Sequence, residues 1–364
     1  MRHFFYFFAA FAATFAAVGI FRRWATGRKI LDVPNDRSSH RKPTPRGGGL
    51  PIVLVSLSIY AVYTLYAAKD FQAGYFFGAL IIAFVSWLDD LYSVSFKWRF
   101  LLHAAAALTA VGGVGYFEEI SLPFFFGHFD LGAAAGILLT AGWIVWLTNA
   151  YNFMDGIDGI AAIQSVAAGF GWFLLGRQMQ AETVEFFGGA LAFSSLGFLI
   201  HNWQPAKIFM GDVGSAFLGY SFAVMPLLLL AMSARQENAS SGGGNSGRAL
   251  FFGVVLVWLF LFDTIITLAR RLVKGEKIWE AHRTHLYQQL ATGGCSHRAI
   301  AAFYGAAACL NAILLALATV SATAARPSAN GIYGILCFFL AFEAIALTVF
   351  AKFPKLFAAN KQND

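Results

Sequence analysis

Charge is scarce in this chain. Asp, Glu, Lys and Arg make up 12% of its 364 residues, about half the share of a soluble globular domain, which excludes an ordinary water-soluble fold. Cysteine is nearly absent. Cys295, Cys309 and Cys337 are too few for a disulfide framework and form no CxxC pair, so thiol-redox and zinc-ribbon chemistry go with them. Internal repeats are missing, and the one long polar, glycine-rich stretch is residues 233–247, SARQENASSGGGNSG, which reads as a flexible linker. Apolar residues are what the chain has in excess: 58% of the total, with 39 Phe and 9 Trp. That content excludes disorder and makes lipid the natural solvent. A net charge of +7 without a soluble basic domain points to anionic lipid or phosphorylated substrates, and no nucleic-acid partner is expected.

A bilayer core needs roughly 17 to 25 mostly apolar helical residues per crossing. Eleven runs reach or approach that length, at residues 4–21, 50–68, 71–88, 100–116, 131–150, 160–176, 186–200, 213–232, 249–268, 299–320 and 332–350. The first is followed at once by Arg22, Arg23, Arg28 and Lys29, which favours a retained anchor over a cleaved signal peptide. With its C-terminal end placed in the cytoplasm, only Arg2, Lys69, Arg177, Arg235, Arg248 and Arg326 of the 26 Lys and Arg fall outside. The other 20 lie in cytoplasmic segments, as the positive-inside rule requires. The expected fold is therefore an all-α polytopic membrane protein of eleven transmembrane helices, with its N-terminus outside and its C-terminus cytoplasmic. Residues 1–364 form one membrane domain, and the outer segment 117–130 is expected to form a short hairpin around Gly127.

Polar chemistry gathers in the cytoplasmic loops 22–49, 89–99, 149–159, 201–214 and 269–298. Asp89 and Asp90 close the third span, where adjacent carboxylates repel unless a cation or proton is shared. Asn149, Asn152 and Asp155 recur at a spacing of three, one face of a continuing helix, before Gly156, Asp158 and Gly159. Amide and carboxylate oxygens on one face suit magnesium. In FMGDVGS, Asp212 stands between glycines at the start of the eighth span, where helix N–H groups are expected to bind phosphate while Asp212 holds a metal. Basic residues supply the complement. Arg270, Arg271, Lys274, Lys277, His282, Arg283 and His285 crowd one loop at the density that diphosphate binding needs, and zinc is disfavoured there by the lack of Cys or HExxH. Arg37, His40, Arg41, Lys42 and Arg46 precede three glycines in a second basic loop, whose bland alternative is positive-inside anchoring. Arg99 is placed to pair with the acids or reach a phosphate. Asp263, inside the ninth span, is expected to be structural, and Glu343, inside the eleventh, has no evident role.

Taken together, the DD pair, NxxNxxDGxDG, FMGDVGS and AHRTH resemble the polyprenyl-phosphate N-acetylhexosamine-1-phosphate transferases, glycosyltransferase family 4. The likeness runs from about Asp32 to His285, in the family's order. Residues PNDRSSHRKPTPRGGG and AHRTHLY are most similar to the branch that initiates O-antigen or related surface glycans; the peptidoglycan branch has consecutive histidines in its last motif. The resemblance implies that Asp90 engages or deprotonates the lipid phosphate with Asp89 beside it, and that Asp155 and Asp158 lie near nucleotide and sugar. It implies that Asp212 and Asn152 contact magnesium, with manganese as a substitute, and that Arg99, His282 and Arg283 bind diphosphate. Lys42, Asn149 and His285 complete the candidate substrate-binding set. The implied partners are a UDP-N-acetylated sugar, undecaprenyl phosphate, the lipid bilayer and, as a candidate, a second copy of the chain. The implied setting is a bacterial inner membrane with the site facing the cytoplasm. A CDP-alcohol phosphatidyltransferase is disfavoured because DGIDG lacks the AR that should follow its first DG. An ion- or proton-coupled transporter is the alternative from another class.

Overall fold

The computed structural model describes residues 3–34, 42–121, 128–237, 248–277, 283–323 and 328–354. Helices dominate throughout. In chain order they are α1 (Phe4–Gly27), α2 (Leu50–Val62, continued by a π-helical turn Tyr63–Ala67), α3 (Ala73–Tyr92), α4 (Phe96–Val114), α5 (Gly132–Met154), α6 (Ile160–Gln178), α7 (Glu182–Asn202) and α8 (Asp212–Glu237). They continue as α9 (Ala249–Leu256), α10 (Trp258–Val273), α11 (Leu286–Thr292), α12 (His297–Thr323) and α13 (Ser328–Lys352). Two short antiparallel pairs complete the described structure. Strands β1 (Leu31–Asp32) and β2 (Thr44–Pro45) pair on one side. Strands β3 (Glu119–Ser121) and β4 (His128–Asp130) form the expected hairpin, with its tip at 122–127 outside the described residues.

Helix α8 is the axle of the bundle. Of its most apolar stretch 94% is buried, against 22% for α1, so α8 is surrounded by protein while α1 faces outward along most of its length. Helices α3 and α5 flank α8, α4 packs on α3, and α6 lies between α7 and α12. Bulky apolar side chains point away from the bundle, among them Phe5, Phe8 and Ile20 on α1 and Phe338, Phe342 and Ile345 on α13. In water such a rim would be untenable; in lipid it costs nothing.

Among the described residues nine helices are long and apolar enough to cross a membrane, or ten if α9 and α10 count as one. The chain is thus a multi-pass membrane protein, and two of the eleven expected crossings differ from expectation. Residues 100–114 are helical within α4, but Lys97, Arg99 and His103 lower its hydropathy enough to leave α4 outside that apolar set. Residues 249–268 are not one continuous helix: α9 and α10 meet at Val257 with a bend of 81°. The backbone freed by the break is satisfied from a neighbour, because the buried Gln164 side chain on α6 donates to the Leu256 carbonyl at 2.8 Å. Such repair is what a non-helical backbone inside a membrane requires. The linker expected at 233–247 is helical through Glu237, and its remainder lies outside the described residues.

The break has a consequence for the site. It sends α10 away from α9 toward the end of the bundle where α3 and α5 finish and α8 and α12 begin. Asp89, Asp90, Asp212 and Asp263 all meet partners at that end.

Candidate active site

Three carboxylates and two guanidiniums from four segments converge there. Helix α3 ends with Ser93 in the left-handed region (φ 55°), and the Val94 N–H closes the turn on Asp89 Oδ1 at 2.6 Å. That turn directs α4 back along the same end, so that Arg99 pairs with Asp89 and also approaches Asp212 Oδ2 at 3.3 Å. The side chain of Asp90, the next residue, is 1% exposed. Its Oδ1 accepts from Arg46 Nε at 2.7 Å and from the Asp212 N–H at 2.9 Å, and its Oδ2 accepts from the Val213 N–H at 3.1 Å. The first amides of α8, expected to bind phosphate, are thus already occupied by a carboxylate of the protein itself.

Arg46 reaches this place through its backbone. Pro45 O accepts from Phe209 N at 2.8 Å, Gly48 N donates to Phe209 O at 2.9 Å and Gly49 N donates to Met210 O at 2.8 Å, so 45–49 and 209–210 run as a short ladder. The ladder needs glycine. A Cβ on Gly49 would overlap the Gly214 backbone, and one on Gly211 (φ 76°) would lie 2.7 Å from Asp90 Oδ2. The glycines of PRGGG and MGDVG are therefore spent on bringing Arg46, Asp90 and Asp212 together rather than on wrapping a phosphate.

Asp212, its side chain 23% exposed, meets both guanidiniums at long range, 3.4 Å to Arg46 and 3.3 Å to Arg99, and its carboxyl also lies against that of Asp89. Beside it, Asn152 on α5 donates to Ser215 Oγ at 3.1 Å, one turn into α8. Asp155 caps α5 and faces two carboxylates, with Arg46 as the opposing charge. Burial first, then the facing Asp212 and Asp90 carboxylates, push its carboxyl well above the usual range. For Arg46, loss of solvent opposes the charge, but Asp90 and Asp212 outweigh it and raise its affinity for the proton.

The remaining candidates are support or stand apart. Asn149 shares the α5 face with Asn152, as its spacing predicts, but donates back to the Val145 carbonyl at 2.7 Å. Asp158 accepts from Ala206 N at 3.1 Å and faces His297 at 3.5 Å, bracing the 203–208 loop against the start of α12. His285 is N-terminal to α11 and gives Nδ1 to Asp263 Oδ1 at 3.1 Å, so at least one of its ring nitrogens serves the protein rather than a substrate. Arg283 is half-buried just before α11, and Lys42 is exposed. His282 lies outside the described residues.

Asp263 is structural, as expected. Fully buried, it accepts from Leu286 N (2.8 Å), Tyr287 N (3.1 Å), Tyr304 Oη (3.0 Å) and Thr267 Oγ1 (3.1 Å) as well as facing His285. It thereby pins α11 to α10 and α12. Tyr287 then passes the constraint on, donating to the Phe153 carbonyl at 2.9 Å, and its hydroxyl fills the space where a side chain on Gly156 would go. Glu343 likewise has a partner, the Asn311 amide at 3.0 Å, which joins α13 to α12.

Three residues of this geometry escape a reading by motif: Arg46, Ser215 and Tyr287. Arg46 was visible only as one cation among five in a basic loop, and its neighbours PRGGG carry the signal. Among the described residues no three His, Cys, Asp or Glu side chains converge to cage a metal unaided. Asp212 and the Asn152 amide oxygen do suit magnesium, which typically takes one or two protein oxygens and completes its shell with phosphate and water.

The acids sit at one end of the bundle, and the two carboxylates within spans, Asp263 and Glu343, are tied to helix contacts. The transporter alternative accordingly finds no support. Comparison with known proteins agrees. Residues 72–230 match the model of glycosyl transferase family 4. A probable undecaprenyl-phosphate N-acetylglucosaminyl 1-phosphate transferase of Bacillus subtilis (strain 168) is 33% identical over 77% of this chain and 74% of the relative. A decaprenyl-phosphate N-acetylglucosaminephosphotransferase of Mycobacterium leprae is 29% identical over 79% and 76%. A phospho-N-acetylmuramoyl-pentapeptide-transferase of Streptococcus equi subsp. zooepidemicus is 30% identical over 60% and 71%. With its motifs in order and its acids gathered at one end, the chain belongs to glycosyl transferase family 4, among the polyprenyl-phosphate N-acetylhexosamine-1-phosphate transferases.

Proposed function

We propose that the protein transfers an N-acetylated sugar 1-phosphate from a UDP-sugar to undecaprenyl phosphate, at the cytoplasmic face of a bacterial inner membrane. The observation that carries this reading is the grouping of Asp89, Asp90 and Asp212 with Arg46 and Arg99 at one end of a membrane bundle. A phosphate oxygen of the lipid forms a bond to the β-phosphorus of the donor while the β-phosphorus–oxygen bond to the α-phosphate breaks. The electron pair leaves with UMP, and the product is the lipid-linked sugar diphosphate.

Both reactants are anions, so the barrier is largely electrostatic. Magnesium, or manganese in its place, would supply positive charge to the departing diphosphate oxygens, held by Asp212 and Asn152. The chain's own residues do the rest. Arg46 and Arg99 offer planar N–H forks for phosphate oxygens. Asp90 fixes the first turn of α8 and thereby the direction of Asp212, while Asp263 and Tyr287 fix the loop that carries Asp155. Arg283, half-buried beside α11, is assigned to the donor diphosphate. We further assign the product to the start of O-antigen or a related surface glycan, because AHRTH lacks consecutive histidines.

Purified protein incubated with undecaprenyl phosphate, magnesium and a panel of UDP-sugars should release UMP with at least one N-acetylated donor. Asp212→Asn should fold and yet lose about 100-fold or more in rate. Normal turnover by that variant would sink the assignment.

A further inference from the structure

Two guanidiniums face Asp212, and both hold it loosely. Arg46 is anchored on Asp90 at 2.7 Å and only reaches Asp212 at 3.4 Å. Arg99 is anchored on Asp89 and only reaches Asp212 at 3.3 Å. Each fork therefore has a close carboxylate in the DD pair and a distant one in common. The anchors are buried and hydrogen-bonded. The Asp90 side chain is 1% exposed and tied to two amides of α8, and Asp89 is buried and tied to the Val94 amide. Asp212 and the two guanidiniums are partly exposed, with side chains at 23%, 34% and 25%.

This asymmetry decides what gives way. A divalent cation bound through carboxylate oxygens sits about 2.1 Å from them. At that distance two charges outcompete two single charges held beyond 3.2 Å, since Coulomb attraction falls with separation. The anchored contacts stay, because breaking them would strand the buried Asp90 without its countercharge. The displaced N–H groups of Arg46 and Arg99 then lack an acceptor. A phosphate oxygen is the acceptor whose charge and geometry match a guanidinium fork.

From this geometry we propose that Arg46 and Arg99 are place-holding cations. They face Asp212 in the empty enzyme, compete with the divalent cation for it, and once displaced remain hinged on Asp90 and Asp89 to position substrate phosphates. The two adjacent acids thus serve one arginine each, and Arg46 becomes a phosphate-positioning residue. This inference rests on the metal reading given above. It also makes metal and phosphate ligand cooperative, because the ligand supplies acceptors for the N–H groups that the metal displaces.

The test is Mn2+ binding to the full-length protein in detergent, read by electron paramagnetic resonance without turnover, with and without UMP. Arg46→Gln should bind Mn2+ roughly three- to tenfold more tightly than wild type, because one competing cation has gone. The same variant should show less tightening on addition of UMP. Lys97→Gln removes an exposed cation two residues from Arg99 and should leave Mn2+ affinity unchanged. If Arg46→Gln fails to fold in a detergent melt, Arg99→Gln makes the same comparison. Unchanged or weaker Mn2+ binding in a folded Arg variant overturns the proposal, as does equal tightening in Lys97→Gln, which would signify general electrostatics. Wild-type UMP release, assayed separately, tells the two levels apart. Metal-dependent release with unaltered Mn2+ affinity in the variant rejects the place-holding role alone, whereas no Mn2+ binding and no release by wild type rejects both.

Discussion

Asp155 carries a cost that the rest of the site does not relieve. Its carboxyl is pushed well above the usual range by burial and by the Asp212 and Asp90 carboxylates, which together outweigh the opposing charge of Arg46. An acid raised in this way is better tolerated protonated, so its ionisation opposes folding at neutral pH and ceases to do so as pH falls toward the usual carboxylate range. Asp155→Asn is therefore expected to raise the melting temperature of the metal-free protein at pH 7 while abolishing transfer. The gain should shrink as pH is lowered and also when magnesium is added to both proteins. A melting temperature lower than wild type at pH 7 would show that Asp155 is paired in solution. Such a trade of stability for charge is common where a site awaits a cation.

At the scale of elements, the site is assembled from helix ends whose unpaired groups are matched to side chains from distant parts of the chain. The first turn of α8 meets Asp90, and the first turn of α11 meets Asp263. Asp263→Asn leaves the buried donors of α11 facing an amide. The expected loss is about 3 kcal/mol or more, measured as a lower melting temperature, with activity partly retained in the cold. Normal melting with no activity would mean that Asp263 acts in the chemistry itself. The ladder between 45–49 and 209–210 makes a different demand, namely close approach of two backbones. Gly49→Ala should cost more than about 2 kcal/mol and silence the enzyme, because its methyl group would overlap Gly214. Gly112→Ala on α4 is the control: nothing lies within 4 Å of the added carbon, so melting should be unchanged or higher.

For the molecule as a whole, the acid-bearing end is expected to face the cytoplasm. The excess of Lys and Arg in segments at that end argues for the cytoplasm, where a nucleotide sugar is available. With Cys295, Cys309 and Cys337 replaced, a single cysteine in the 238–247 segment is expected to react with an impermeant thiol reagent in intact cells. One at Lys277 should react only after the cells are opened. Equal labelling of both positions would overturn the orientation and with it the proposed access of the donor.

Composition and run length were enough to establish a helical, multi-pass membrane protein, because a bilayer imposes a length and polarity that few sequences meet by chance. Spacing sufficed to put Asn149 and Asn152 on one helix face, and the resemblance of the ordered motifs to the family marked Asp89, Asp90 and Asp212 as a set. Local sequence could not tell how that set is used. Whether the glycines of MGDVG cradle a phosphate or let Asp90 in depends on which segment lies opposite, and that segment, PRGGG, is more than 160 residues away. The same holds for Arg46 against its four basic neighbours, for His285 turned to Asp263, and for the break at Val257 that Gln164 repairs from another helix. Each is settled by contacts between residues distant in the chain, formed only when the bundle closes. Periodicity reports which face of a helix is apolar, whereas the partner that meets each polar group is chosen by tertiary packing.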